Sequence, residues 1–406
     1  MKRIFTPFIF FILLSSSLLA QKPTVTSEDS LNNNMSKKGT TTIGGYGNAF
    51  YQRNSRLQTS NLDLERFVIF TGHKFTDKIS IFSELEVEDA KVAGGESGGE
   101  IAVEQAYLKF NLNANQYVVA GLFLPRIGIL NENHLPNTFN GNERDYVETF
   151  IIPSTWRELG VGLYGNLNNL PINYSVGLVN GLSSEMFEHG SGIREGRFEG
   201  RNATGNNLAI TGALQFYQGN FKVQVAGYYG GTVGANKRKA DSLGLTSGIF
   251  GTPVALGEAD VKYASNGFSV RVLGAIVSIP DADKINRAYA SNTPKTEYGA
   301  YAELGYDLFY LSGRPTNKQL IVFVRDEKLN MNAGIPSNGV TDGTLDQNYV
   351  VAGLTYLPIR NVAIKGDVRI AHTGNQNPDL IINPNPIAQP YQPNYNLVNL
   401  GVAFSF

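Results

Sequence analysis

The sequence predicts an all-β transmembrane antiparallel barrel of about sixteen strands, with short turns on the periplasmic rim and long loops on the outer rim. Three observations lead there. The last residues alternate strictly: Val398, Leu400, Val402, Phe404 and Phe406 share one face, and Asn399, Gly401, Ala403 and Ser405 share the other. A period of two makes one apolar and one polar face, and ending such a strand on an aromatic suits the closing strand of a barrel set in lipid. The 44 glycines, 20 tyrosines and 23 phenylalanines among 406 residues suit tight turns, small lumen positions and interfacial girdles. Connections between strands alternate short and long, as expected when one rim faces the periplasm and the other faces outside.

In order, the predicted strand cores are 41–53, 61–75, 78–88, 101–112, 116–124, 157–167, 172–181, 207–217, 221–230, 256–264, 268–279, 297–309, 319–327, 348–357, 362–371 and 394–406. Tight turns fall at Thr76-Asp77, Asn113–Asn115, Asn168–Pro171, Gln218–Asn220, Ser265–Gly267 and Pro358–Asn361, with a longer one around Ser312–Lys318. The intervening connections are long, except Asn54–Ser60. Aromatics gather beside the short turns, among them Phe75, Tyr117, Phe216, Tyr217, Phe221, Phe268, Tyr310 and Phe404, and read as a headgroup-level girdle. A repeat of fixed period, which would mark a solenoid or propeller, is absent.

The N-terminus adds an address. Met1-Lys2-Arg3 is a charged region, Ile4–Leu14 is apolar, and small residues lead to Ala20, so residues 1–20 read as a secretory signal peptide. Residues 21–40 read as a flexible periplasmic lead-in and 41–406 as the barrel. With no cysteine there are no disulfides and no thiolate metal sites. A net charge of −1 gives no electrostatic case for nucleic acid. The expected place is the cell outer membrane, with its lipid and lipopolysaccharide as partners. Lys237-Arg238-Lys239 in an outer loop could attract lipopolysaccharide phosphates, though a solvated charge run explains it more simply.

Strand parity assigns the lumen. With apolar residues facing lipid, Glu84, Glu86, Lys222, Arg271, Glu303, Lys365, Asp367 and Arg369 face inward, since a charge facing the bilayer midplane costs ~2–4 kcal/mol. Lys262, Glu158, Glu258, Asp260, Glu297 and Asp307 join them, so acids outnumber bases. The expected lumen is polar and wet. In the second strand Arg66 shares parity with Leu64 and Val68, which calls for a bulge.

Residues 125–156 form the longest stretch without strand alternation. Ile127, Ile129, Leu130, Leu135, Phe139 and Phe150–Ile152 could pack onto a wall. Arg126, Glu132, His134, Glu143, Arg144, Asp145 and Glu148, with Arg157 and Glu158 just beyond, could charge a constriction. An external flap over the mouth is the alternative.

The segments Gly121-Leu-Phe-Leu-Pro-Arg-Ile-Gly128 and Ile152-Pro-Ser-Thr-Trp-Arg-Glu-Leu-Gly-Val-Gly-Leu-Tyr164, with Leu64-Glu-Arg-Phe67 and Phe82-Ser-Glu-Leu-Glu-Val87, resemble porins of the phosphate-selective O/P type. The resemblance implies a sixteen-stranded homotrimeric diffusion channel for small anions, phosphate included, with an infolded loop as its filter and no cofactor. Against that, the inward acids offset the arginines, and the residues themselves point to a weakly selective channel with a transverse field. No hydrolase, metalloprotease or phosphate-cradling motif is found, and the four histidines are scattered, so no catalytic residue and no metal ligand is expected. A non-conducting structural or adhesive barrel is the principal alternative, and an outer-membrane serine-histidine hydrolase a lesser one.

Overall fold

A computed structural model of the protein describes residues 38–89, 99–313, 317–380 and 391–406. The expected signal peptide, most of the lead-in, and residues 90–98 after the third strand lie outside the described residues. The sixteen strands are β1 (Thr41–Asn54), β2 (Thr59–Lys74), β3 (Ile79–Glu88), β4 (Glu100–Asn111), β5 (Gln116–Phe123), β6 (Glu158–Leu167), β7 (Ile172–Asn180), β8 (Leu208–Gln218), β9 (Phe221–Gly231), β10 (Pro253–Ser265), β11 (Phe268–Ser278), β12 (Thr296–Asp307), β13 (Gln319–Gly334), β14 (Asp346–Ile359), β15 (Val362–Thr373) and β16 (Asn394–Ser405). Each pairs antiparallel with its sequence neighbours, and β1 closes the barrel against β16. Phe406 carries the closing ladder one step further: its N–H donates to Gly45 O at 2.8 Å, and Gly45 N–H donates to Phe406 O at 3.0 Å. Closure pairs every strand edge, which hydrocarbon requires because it offers no water to an orphan amide.

Turn chemistry sets the register locally. Between β10 and β11 the two-residue turn Asn266-Gly267 has φ of +52° and +78°, matching the twist of the flanking strands. From that turn the ladder runs without a break, from Ser265 opposite Phe268 to Ala255 opposite Ser278. The outward residues are apolar and exposed, such as Leu214, Val225, Ile276, Ile370 and Leu400. In β2 the pairing with β1 slips between Asn48 and Phe50, and this bulge turns Arg66, Val68 and Phe70 inward while Leu62 and Leu64 stay outward.

Three features depart from the sequence reading. β13 continues to Gly334, well past residue 327. Beyond that point its alternation inverts, with Leu329 and Met331 buried inside and Lys328 exposed, so it no longer looks like a lipid-facing strand. Tyr117 and Tyr217 belong to the interior and not to the girdle: Tyr117 stacks on Tyr164 at 5.1 Å, and the Tyr217 hydroxyl donates to Gln215 at 3.2 Å. The inner wall is also not uniformly polar. Tyr46, Val68, Phe82, Tyr107, Leu273, Val277 and Tyr301 are buried there.

At the long-loop rim the apolar interior continues through Ile193, Val233, Leu245, Ile279 and Ile285. Two helices belong to it. Lys237–Leu243 carries the basic run Lys237-Arg238-Lys239 and is capped by the Asn236 side chain, which accepts from Lys239 N–H at 3.0 Å. Ala282–Tyr289 buries Ile285.

Candidate functional site

The segment between β5 and β6 folds inside the barrel; the external-flap alternative is not what forms. Ile127, Val147, Ile151, Ile152 and Trp156 are fully buried, and Trp156 packs on Tyr228 of β9 with ring centroids 4.6 Å apart. A π-helical turn at Val147–Ile151 presses Val147 and Ile151 toward Gly299 of β12, where a side chain on that glycine would meet both within about 3 Å.

The wall grips this loop through charged and polar groups. Lys365 of β15 donates its ammonium to Pro136 O (2.5 Å) and Gly141 O (2.8 Å) and sits over the Phe139 ring. Asp367 accepts from Asn142 N–H at 2.9 Å and from its side-chain amide at 2.7 Å. Arg369 lies over the Tyr146 ring at 3.5 Å, donates to Arg144 O at 3.1 Å, and approaches Glu143 at 3.6 Å. Arg271 donates to Thr138 O at 2.6 Å, and Glu303 accepts from Asn140 at 3.0 Å and from Arg325 at 3.2 Å. Lys222 and Lys262 both bind Glu132.

On the opposite wall Glu86 faces Arg66 at 3.7 Å and Arg157 at 3.9 Å, while Arg157 binds Glu199 at 2.8 Å. Glu158 accepts from the Trp156 indole N–H at 2.6 Å and from Asn180. Glu84 accepts from Gln105 at 2.6 Å, beside His134. The inward charges therefore mostly fasten the loop instead of lining open water. Burial makes this costly for a lone ion, and partner groups offset the cost.

Electrostatics inside the loop follow from the same burial. Burial acts to raise the Glu132 carboxyl, yet Lys262 and Lys222 hold it well below the usual carboxylate range. Burial, reinforced by the Glu327 carboxylate, pushes Asp145 up to about 7. Burial and Asp145 together raise Glu148 well above its ordinary value.

Sequence reasoning missed Glu327 and did not foresee that Glu148 and Glu258, named there as loop and lumen charges, act as anchors. Glu327 accepts from Tyr146 N–H and from Arg325, both at 2.7 Å. Glu148 of the loop accepts from Leu130 N–H at 2.7 Å and from the Tyr301 hydroxyl at 2.8 Å. Glu258 accepts from Gly128 N–H at 3.1 Å. The inward parity of Arg325 and Glu327 was the available signal for the first. Asp307, expected inside, instead caps the turn at Leu308–Ser312 by accepting from Phe309 N–H.

The cavities that remain are not where one ring of arginines would place them. Arg126 borders a cavity of about 300 Å³ beside the short turn Asn113–Asn115, where it donates to Tyr117 at 3.1 Å. Arg157 borders a cavity of about 460 Å³ at the other end of β4, with Arg194, Arg197 and Arg201. Arg144 lies between them, amid Arg66, Glu104, Glu65 and Glu86. The three arginines thus do not share one constriction. A cavity of about 540 Å³ near the short-turn rim is lined by Lys222, Lys262, Arg271 and Arg360, with Glu132 behind the two lysines.

A closed sixteen-strand barrel with an infolded loop is the architecture of outer-membrane porins, and it places this chain in the outer membrane. The chain belongs to the same protein family as an uncharacterized protein of Aquifex aeolicus (strain VF5), to which it is 32% identical over 344 residues, 82% of this chain and 75% of that one. No family model matches it. In fold it is similar to Salmonella typhi OmpF, solved in complex with daunomycin (TM-score 0.55, 13% identity, 91% of this chain and 98% of that one). It is likewise similar to an anion-selective porin from Comamonas acidovorans (TM-score 0.53, 10% identity, 91% of this chain and 100% of that one).

Proposed function

We propose that the protein is a passive diffusion channel for small hydrophilic solutes, with a preference for small anions that extends to phosphate. The observation that carries the preference is the basic cavity at the short-turn rim. The acids that outnumber bases along the inner wall, including Glu84, Glu86, Glu258, Glu297, Glu303 and Asp367, are all buried, and several are committed to loop anchoring. Lys262 and Arg271, although they also hold Glu132 and Thr138 O, border the cavity together with Arg360. Charges bordering a narrow aqueous passage between low-dielectric walls weigh most on a passing ion. This reading replaces the weak selectivity that counting inward acids suggests.

Reversal potentials across a planar bilayer under a salt gradient test it. The wild type should favour anions, and the anion-to-cation permeability ratio should fall several-fold in Arg271→Gln/Arg360→Gln. A cation preference, or a ratio indifferent to both arginines, would sink the reading. A barrel closed by its own loop is the second reading, favoured by the complete burial of Ile127, Ile151 and Trp156. Stepwise ohmic currents exclude it, and silence establishes it.

The proposal includes the homotrimer that the resemblance implies. Native mass measurement in mild detergent should give three chains per particle, and a clean monomer would remove that part.

A further inference from the structure

We propose that Glu84, Glu104 and His134 bind a divalent transition-metal ion of the zinc class, which clips the infolded loop to the β3–β4 wall. The three residues come from separate elements: Glu84 from β3, Glu104 from β4 and His134 from the loop. Each is buried, at 1%, 0% and 3% exposure respectively. Each offers one ligand atom, and these atoms all lie within 4.8 Å of one another. His134 Nε2 stands 3.8 Å from Glu84 Oε2 and 3.7 Å from Glu104 Oε1.

Those separations are too long for hydrogen bonds. They suit shared coordination instead: two ligands each ~2.0–2.2 Å from one ion, at an angle near ~110–120°, stand roughly 3.3–3.8 Å apart. The imidazole is the independent sign of a ligand. Neither ring nitrogen of buried His134 makes a well-formed hydrogen bond, the Leu130 backbone being the group that approaches it, and Glu104 Oε1 likewise lacks a well-formed one, with Thr155 nearby. A neutral imidazole carries one donor and one acceptor; the Leu130 backbone can serve only the donor, and burying the acceptor unpaired is costly. Coordination through Nε2 would satisfy the acceptor nitrogen.

The surroundings orient the carboxylates as second partners of metal ligands do. The Tyr46 hydroxyl donates to Glu104 Oε2 at 3.0 Å, and the Gln105 amide donates to Glu84 Oε2 at 2.6 Å. Arg66 is engaged with Glu65 at 2.7 Å, and Nη2 of Arg144 is buried without a hydrogen-bond partner. One nitrogen and two carboxylate donors favour a first-row transition ion over calcium or magnesium, which prefer all-oxygen sets. Sequence spacing hides the site because His134 reaches the wall only when the loop folds inward. The proposal does not depend on the channel reading, since a silent barrel could hold the same ion.

The test uses the full chain in detergent, stripped with a chelator, equilibrated with Zn²⁺ alone and desalted. Elemental analysis should find one zinc per folded wild-type chain, with thermal unfolding shifted upward on zinc addition. His134→Gln and Glu104→Gln should each lose the retained zinc and the shift, while His189→Ala, at the exposed His189–Asp342 pair, should keep both. Heat-modifiable mobility confirms that each variant tested is a folded barrel, and His134→Gln carries the test alone if Glu104→Gln misfolds. Substoichiometric zinc in the wild type, or equal retention by wild type and His134→Gln, overturns the proposal.

Discussion

Glu327→Ala is expected to undock the infolded loop and to destabilise the protein by ~3–5 kcal/mol, the usual cost of removing one partner from a buried ionic group. Glu327 is fully buried and holds three groups at once. It accepts from Arg325 Nε at 2.7 Å, accepts from the loop amide of Tyr146 at 2.7 Å, and faces Arg369 Nη1 at 3.7 Å. Without it, Arg325 keeps Glu303 at 3.2 Å and Arg369 keeps Glu143 at 3.6 Å, leaving two buried guanidinium groups undercompensated. The loop also loses the bond that starts its π-helical turn. Thermal unfolding in detergent should show the loss, and protease should cut the loop faster. Glu327→Gln keeps an acceptor for Tyr146 N–H but not the charge, so it should fall between the two. Wild-type stability together with wild-type loop protection in Glu327→Ala would refute this account of the anchor.

The second large effect is a pH dependence centred on Asp145. Burial, aided by the neighbouring Glu327 carboxylate, raises this carboxyl from 3.8 to about 7. A raised folded-state value means that the folded protein holds the proton more tightly than the unfolded chain. Stability from this group is therefore fully present below about pH 4 and is lost as pH rises through 7. A rise of that size corresponds to a loss of up to about 4 kcal/mol between those two pH values. Asp145→Asn keeps the oxygen that accepts from Glu148 N–H at 2.7 Å and carries no charge at any pH. The variant should be as stable as the wild type near pH 4 and more stable at pH 8, with the difference opening between those values. Melting temperatures of both proteins across that range measure it. Parallel curves would show that Asp145 is ionised throughout and held by Arg325.

The legibility of the fold and of the site differed for a physical reason visible in single residues. Leu214, Val225, Ile276 and Leu400 face lipid, a uniform solvent that demands the same chemistry at every second position, so their pattern survives in one dimension. Where strands leave that solvent, the pattern fails. Lys328 and Leu329 of β13 stand above the apolar belt with the alternation inverted, so periodicity alone ends the strand before them. The β2 bulge was legible because a charged Arg66 on the lipid face would have been too costly.

Parity put the inward charges on the face they occupy, but not opposite their partners. Parity puts Lys365, Asp367 and Arg369 inside, yet it cannot show that Pro136 O, Asn142 N–H and the Tyr146 ring come to meet them. Those partners lie over two hundred residues away in sequence. They have no periodicity of their own, because the loop packs by shape and by carbonyl and amide positions that composition does not encode. Counting acids against bases likewise does not tell a buried carboxylate from a charge in contact with water.

By itself, then, the sequence determined a closed sixteen-strand outer-membrane barrel, its turns, its lipid face and the identity of its long loop, because hydrocarbon imposes one rule on every strand. Only the tertiary structure decided that the loop packs inside the barrel, that wall charges anchor it, that Arg126, Arg144 and Arg157 part company, and that His134 meets Glu84 and Glu104. Those outcomes depend on which groups a folded loop brings within a few ångströms, and burial then sets the strength of each interaction.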